Sequence, residues 1–249
     1  MRVALFIPCF MDQFYPNVAM ASLQVLEKFG CEVEYPMDQT CCGQPMANSG
    51  CNSDAKGSAT RFVELFKDYD YVVSPSGSCS SMVKNHYRML LGKDNQDLEA
   101  LIPKTFEFCE FLTDVLKVEK IDAKCSAKVG LHKACHGLRE LRLGQSSERC
   151  TLGDFSKPGQ LLNMVEGLEM VQISRPDECC GFGGTFAVAE EDVSCLMGKM
   201  KVEDFEESGT QIVVSTDSSC IMHMSGLSSR QKKNLKFAHI AEILNGDFA

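Results

Sequence analysis

The sequence predicts an α/β protein made of two duplicated Rossmann-like halves, each with a parallel sheet. Three observations carry this expectation. Apolar β-branched runs alternate with segments of helical period, a Cys-Cys-Gly triplet occurs once in each half, and matching segments recur in one order. The 249 residues are enough for one large domain or two ordinary ones, and 44% hydrophobic with 24% charged residues is a globular balance.

The first half opens on an apolar run, Val3 to Ile7, which reads as a buried strand. Pro16 to Phe29 reads as a helix, because Val18, Ser22, Val25, Leu26 and Phe29 follow its period; Pro16 suits the start and Gly30 the end. A short strand, "CEVEYP", leads to Cys41-Cys42-Gly43. Ala59, Phe62, Val63 and Phe66 mark a second helix, "YVVS" a third strand, and a closing helix completes the half. The second half repeats the order. Its strand runs from Lys128 to Leu131, "LEMVQI" leads to Cys179-Cys180-Gly181, Val193, Leu196, Met197 and Met200 mark a helix, and "IVVS" is the third strand.

The repeats extend to detail. "YVVSPSGSCSSM" from Tyr71 matches "QIVVSTDSSCIMH" from Gln211, and "VALFIPC" to Cys9 matches "KVGLHKAC" to Cys135. "FEFCEFLTDVL" matches "FAHIAEIL" at the ends. The expected domains are residues 1–122 and 123–249, related by a pseudo-twofold axis that brings both cysteine sites towards their interface. In open parallel sheets, functional loops lie at the carboxyl ends of strands. Cys9, Cys41, Cys42 and Cys79 follow strands, as do Cys135, Cys179, Cys180 and Cys220, so three separate loops should converge in each half.

A formal charge of -9 argues against nucleic-acid binding, which needs a basic patch. The densest basic run, "RQKKNLK" from Arg230, reads as a solvated helix face. No apolar stretch reaches the length of a membrane span, and "MRVALFIPCF" is too short for a signal peptide and lacks a cleavage site. A cytoplasmic protein is expected. In a reducing compartment its fourteen cysteines point to metal or redox chemistry rather than to disulfides.

The spacing is not that of a zinc site, which uses two close pairs of ligands. Here each set has one isolated cysteine, an adjacent pair and another isolated one. Adjacent cysteines cannot easily take two corners around one small ion, yet they can bind different irons of a cluster, and thiolates suit such clusters by softness. Gly43 and Gly181 permit unusual backbone angles beside each pair, and Gly183 and Gly184 extend that freedom in "GFGG", whose amides could face cluster sulfides. No "GK[ST]" follows, so a phosphate loop is not indicated. Cys31, Cys109 and Cys195 read as core, and Cys51, Cys125 and Cys150 have no counterpart in the other half. His132 and His136 bracket Cys135 and read as loop supports, and His239 as a packing residue. A vicinal-disulfide redox pair is the rival for the triplets, but it leaves the two isolated cysteines of each set without a role.

Taken together, Cys9…Cys41-Cys42-Gly43…Cys79 and Cys135…Cys179-Cys180-Gly181…Cys220 resemble the tandem cysteine-rich CCG domain family. That family includes the cysteine-rich subunit of heterodisulfide reductase, the glycolate oxidase iron–sulfur subunit and an anaerobic glycerol-3-phosphate dehydrogenase subunit. With no added ferredoxin segment, and with "PSGSCSSMV" and "CCGFGGTFAV", the chain looks most like its lactate-utilisation (LutA/YkgE) branch. The resemblance implies an iron–sulfur component of L-lactate oxidation to pyruvate, an oxidoreductase subunit rather than a complete enzyme. It implies one or two clusters of the four-iron four-sulfur (4Fe-4S) type, with zinc the lesser possibility, and ferredoxin-like and accessory subunits as partners. The family's full motif ends in Cys-x-x-Cys, whereas this chain has Met82 and His223 at the last position. That departure counts against heterodisulfide chemistry. It makes His223 a candidate fifth ligand and Met82 a weak one.

Overall fold

A computed structural model describes residues 1–149, 153 and 155–248. The chain divides into two compact units, Met1–Leu116 and Lys117–Ala249. In the first unit the order is β1 (Arg2–Leu5), α1 (Cys9–Phe14), α2 (Pro16–Lys28), β2 (Glu32–Glu34), α3 (Gln44–Asn48), α4 (Asn52–Phe66), β3 (Tyr71–Ser74), α5 (Gly77–Ser81), α6 (Tyr87–Leu91), α7 (Gln96–Leu101), β4 (Thr105–Glu107) and α8 (Phe108–Glu110). The second unit follows the same plan with β5 (Lys128–His132), α9 (Lys157–Leu162), β6 (Glu169–Val171), α10 (Phe186–Ala189), α11 (Glu191–Glu207), β7 (Ile212–Ser215), α12 (Ser218–Arg230), β8 (Lys236–His239) and α13 (Ile240–Asn245).

Each unit holds a four-stranded, wholly parallel sheet, in the order β2-β1-β3-β4 or β6-β5-β7-β8. The chain leaves β1 towards one edge and returns on its other side as β3. The crevice beyond the carboxyl ends of β1 and β3 is therefore a topological switch point, where parallel sheets place their sites. The fourth strand of each sheet was not among the expected elements. β4 and β8 span only three or four residues and run straight into a capped helix, so their helical part dominates the pattern. Glu107 caps α8 and His239 caps α13, each in a reciprocal box with the glutamate three residues on.

The strands are buried because crossover helices cover them. Phe6, at the end of β1, packs edge-on against Phe62 of α4 with ring centroids 4.9 Å apart, and Phe62 meets Tyr87 at 5.6 Å. Such pairs each add about 0.5–1.5 kcal/mol beyond their burial. In the second unit α11 does the work of α4, but not with the face expected. Val193, Leu196 and Met200 are exposed, whereas Ser194, Gly198, Lys201, Val202, Asp204 and Phe205 face inward. The reason is that two of the buried positions are charged. Lys201 donates to the Arg175 carbonyl, lies 3.7 Å from Asp204 and sits over the Phe205 ring. Asp204 in turn accepts from the amides of Ser174 and Arg175 at 2.9 and 3.0 Å. This buried pair stitches α11 to the segment that leads into Cys179.

Gly130 lies mid-strand in β5, where a Cβ would fall 2.6 Å from Thr210 Oγ1 and 2.7 Å from the Phe205 ring. Gly130→Ala is expected to destabilise the protein by about 1–3 kcal/mol through overpacking. The urea midpoint should fall, and an unchanged midpoint would contradict the packing described.

Candidate metal centre

Each cysteine of the two sets lies in the loop or helix start that follows a strand. Cys9 is the first residue of α1, Cys41 and Cys42 precede α3, and Cys79 is the third residue of α5. Cys135 precedes a π-helical turn, Cys179 and Cys180 follow β6, and Cys220 is the third residue of α12. Ser76 Oγ fixes the start of α5 by accepting from the Cys79 amide at 3.2 Å.

The first set closes into one cluster of sulfurs. Cys9 Sγ lies 3.7 Å from Cys41 Sγ, and Cys42 Sγ lies 3.3 Å from Cys79 Sγ. Gln39 holds the approach loop against β1, accepting from the Ile7 amide at 2.7 Å and donating to the Leu5 carbonyl at 3.2 Å. Tyr87 Oη donates to the Cys42 carbonyl at 3.0 Å. The second set is linked in the same order, Cys135 to Cys179 to Cys180 to Cys220. Asp177 stands where Gln39 does, two residues before the cysteine pair. It lies 3.5 Å from Lys133 and accepts from the Ser147 amide.

The thiols share their protons unequally. Hydrogen bonds from Cys42, then Cys9 and the Gly43 amide, hold Cys41 far below an ordinary thiol, at about 3. Cys135, then Cys180, does the same to Cys179, at about 2. The donors Cys9, Cys42, Cys135 and Cys180 are pushed up, first by those same bonds and then by burial. Four thiols this close repel one another once ionised, and a bound cation is what offsets that repulsion. All thirteen described cysteines are free thiols, and Cys150 lies outside the described residues.

The triplet glycines are needed for the turn. Gly43 and Gly181 have φ of +85° and +89°, and their amides point at Cys41 Sγ and Cys179 Sγ from 3.4 Å. Gly183 and Gly184 also adopt positive φ, 56° and 64°. The second turn is the tighter: a Cβ on Gly181 would lie 2.5 Å from the Ser194 carbonyl oxygen.

The histidines divide. His223 Nε2 lies 3.2 Å from the Ser194 carbonyl, and Ser194 Oγ donates to the Gly181 carbonyl at 2.7 Å, so His223 reaches the triplet through Ser194. Gly198 leaves room for this, since a Cβ there would lie 2.7 Å from His223 Nε2 and 3.0 Å from the Cys180 carbonyl. His132, read from sequence as a loop support, lies deeper. One ring nitrogen, Cys180 Sγ and Cys220 Sγ all fall within 4.8 Å of one another, and both His132 nitrogens lack a partner. Burial first, then the Lys201 charge, lowers its pKa to about 3, which leaves a neutral imidazole. Met82 is buried in the first core with Cys42 and Cys79. His136 Nδ1 is 3.6 Å from Cys135 Sγ, and His239 accepts from the Ala241 amide. Cys31, Cys109 and Cys125 are buried, Cys195 is partly buried against the second core, and Cys51 is exposed.

The cleft fits a thiolate-bound metal group on the chemistry of its donors and on its orphaned imidazole. Comparison with known proteins agrees. A family model for the CCG cysteine-rich domain matches residues 3–84 and again residues 129–225. The chain belongs to the CCG cysteine-rich domain family. Its relatives in that family include Lactate utilization protein A of Halalkalibacterium halodurans, 40% identical over 98% of this chain and 97% of the relative. The protein of the same name from Bacillus subtilis is 40% identical over 98% of this chain and 99% of its own. That of an Exiguobacterium species is 41% identical over 98% and 97%. Family membership thus covers both thiol sets.

The unequal turns lead to a differential outcome. A β-carbon at left-handed φ costs about 1–2 kcal/mol, so Gly43→Ala and Gly181→Ala should both lower the unfolding midpoint. Gly181→Ala should lower it more, because its Cβ meets backbone. Equal midpoints would contradict the crowding at Ser194.

Proposed function

We propose that this chain is the iron–sulfur electron-transfer component of an L-lactate oxidation system, working with separate subunits. The observation that carries the reading is the duplicated cleft of four thiols from three crossovers, in a chain matched end to end by proteins named for lactate utilisation. Lactate becomes pyruvate by giving up two electrons and two protons, so a carrier subunit must accept electrons one at a time and pass them on. Clusters of the 4Fe-4S type, when bound, supply that one-electron chemistry.

In this reading Cys9, Cys41, Cys42 and Cys79 hold one group, and Cys135, Cys179, Cys180 and Cys220 the other. The Gly43 and Gly181 amides, aimed at thiolate sulfurs, temper the charge of each set. Gln39 ties its approach loop to the end of β1, and Asp177 ties its own to Lys133 and Ser147. Ferredoxin-like and accessory subunits in the cytoplasm would supply the substrate chemistry and the electron outlet. Among the described residues no helix is long and apolar enough to cross a membrane.

Anaerobic purification with iron, sulfide and zinc assays and EPR tests this reading. Cys180→Ser should cut iron and labile sulfide by about half while circular dichroism still shows a folded α/β chain, since the parallel sheets bury strands of their own. Two zinc ions without labile sulfide would instead indicate a structural zinc module. A deletion strain should fail to grow on lactate and be rescued by the wild-type chain but not by Cys180→Ser. Unimpaired lactate growth would move the substrate to another 2-hydroxy acid.

A further inference from the structure

We propose that the His132 imidazole supplies a nitrogen ligand to the metal held by Cys135, Cys179, Cys180 and Cys220, so that the two sites of this chain have different donor sets. The proposal rests on the reading that both thiol sets hold metal and adds a donor that the cysteine pattern does not contain.

Three observations carry it. His132 is 1% exposed and neither ring nitrogen has a hydrogen-bond partner. Leaving such a group buried and unsatisfied destabilises the fold, and a bound metal would remove that penalty. A ring nitrogen of His132 also lies within 4.8 Å of Cys180 Sγ and Cys220 Sγ, a spacing suited to three ligands around one centre. The charged neighbour Lys201 donates a hydrogen bond to the Arg175 carbonyl and pairs with Asp204, and it makes no bond to the imidazole nitrogens. His223, the other candidate, already has Nε2 against the Ser194 carbonyl.

The third observation is the contrast with the first unit. Phe6 stands three residues before Cys9, as His132 stands three before Cys135. Ala55 and Ser194 both face the triplet glycine, and seven residues on from them lie Phe62 and Lys201. An aromatic pair behind the first cleft is thus replaced by imidazole and ammonium behind the second. A neutral nitrogen donor adds a ligand to the second set without adding the charge that a fifth thiolate would bring.

The test uses cobalt(II) added to the apo chain carrying Cys41→Ser and Cys42→Ser, so that only the second set binds. Electron–nuclear double resonance should show one directly coupled histidine nitrogen, whose coupling changes when histidine is labelled with nitrogen-15. His132→Cys should keep cobalt and lose that coupling, and His223→Gln should retain it. The labelled parent chain answers whether a histidine binds at all, even if a variant folds poorly. No coupled nitrogen, no cobalt at this set, or coupling lost in His223→Gln but kept in His132→Cys would each overturn the proposal. A parallel load with iron and sulfide separates the two readings. If that load fails while cobalt shows His132, the iron–sulfur reading falls and the ligand assignment stands.

Discussion

Four thiols crowded into one cleft cannot all carry their charge, and the rest of each unit is arranged around that fact. The sulfurs meet the constraint by hydrogen bonding among themselves, which lowers the pKa of Cys41 and Cys179 and raises that of Cys9 and Cys135. The triplet glycine contributes an amide, and Gln39 or Asp177 holds the loop in place. The parallel sheet matters because its switch point brings three crossovers to one crevice. A cleft so arranged favours a soft, highly charged guest and gives little purchase to a neutral organic one.

Much of this was legible in the sequence for a physical reason. Buried parallel strands need continuous apolar runs, so "YVVS" and "IVVS" announce themselves, and α2 matches its expected bounds because Pro16 and Gly30 punctuate it. Elements that rely on partnered polar groups were harder to see. The inward face of α11 includes Lys201 and Asp204, whose burial depends on each other and on backbone groups distant in sequence. Periodicity therefore selected the exposed methionine and leucine instead. The short strands β4 and β8 were hidden by the capped helices they start. His132 looked like a loop residue because nothing local reveals that β5 continues to it and that Cys220 comes back beside it. Aligning the halves gives a usable signal, since it sets Phe6 against His132 and Gln39 against Asp177.

The two units share one plan and differ in what backs their sulfurs. The first has an aromatic wall of Phe6, Phe62 and Tyr87. The second has a charged pair and an unsatisfied imidazole in that place, which weakens a core unless something is gained. The tighter Gly181 turn and the Gly198 notch belong to the same difference, since both let α11 press against the triplet.

The thiol contacts also have a topological meaning. Cys9 meets Cys41 across 32 positions and Cys42 meets Cys79 across 37, so a guest bound to all four closes two long crossover loops at once. It acts as a removable cross-link, narrowing the unfolded ensemble in the way a disulfide does but under the control of metal supply. Loss of the guest would leave the sheet intact while freeing the crossovers, so a depleted chain would first become vulnerable to proteases at the loops around its cysteines.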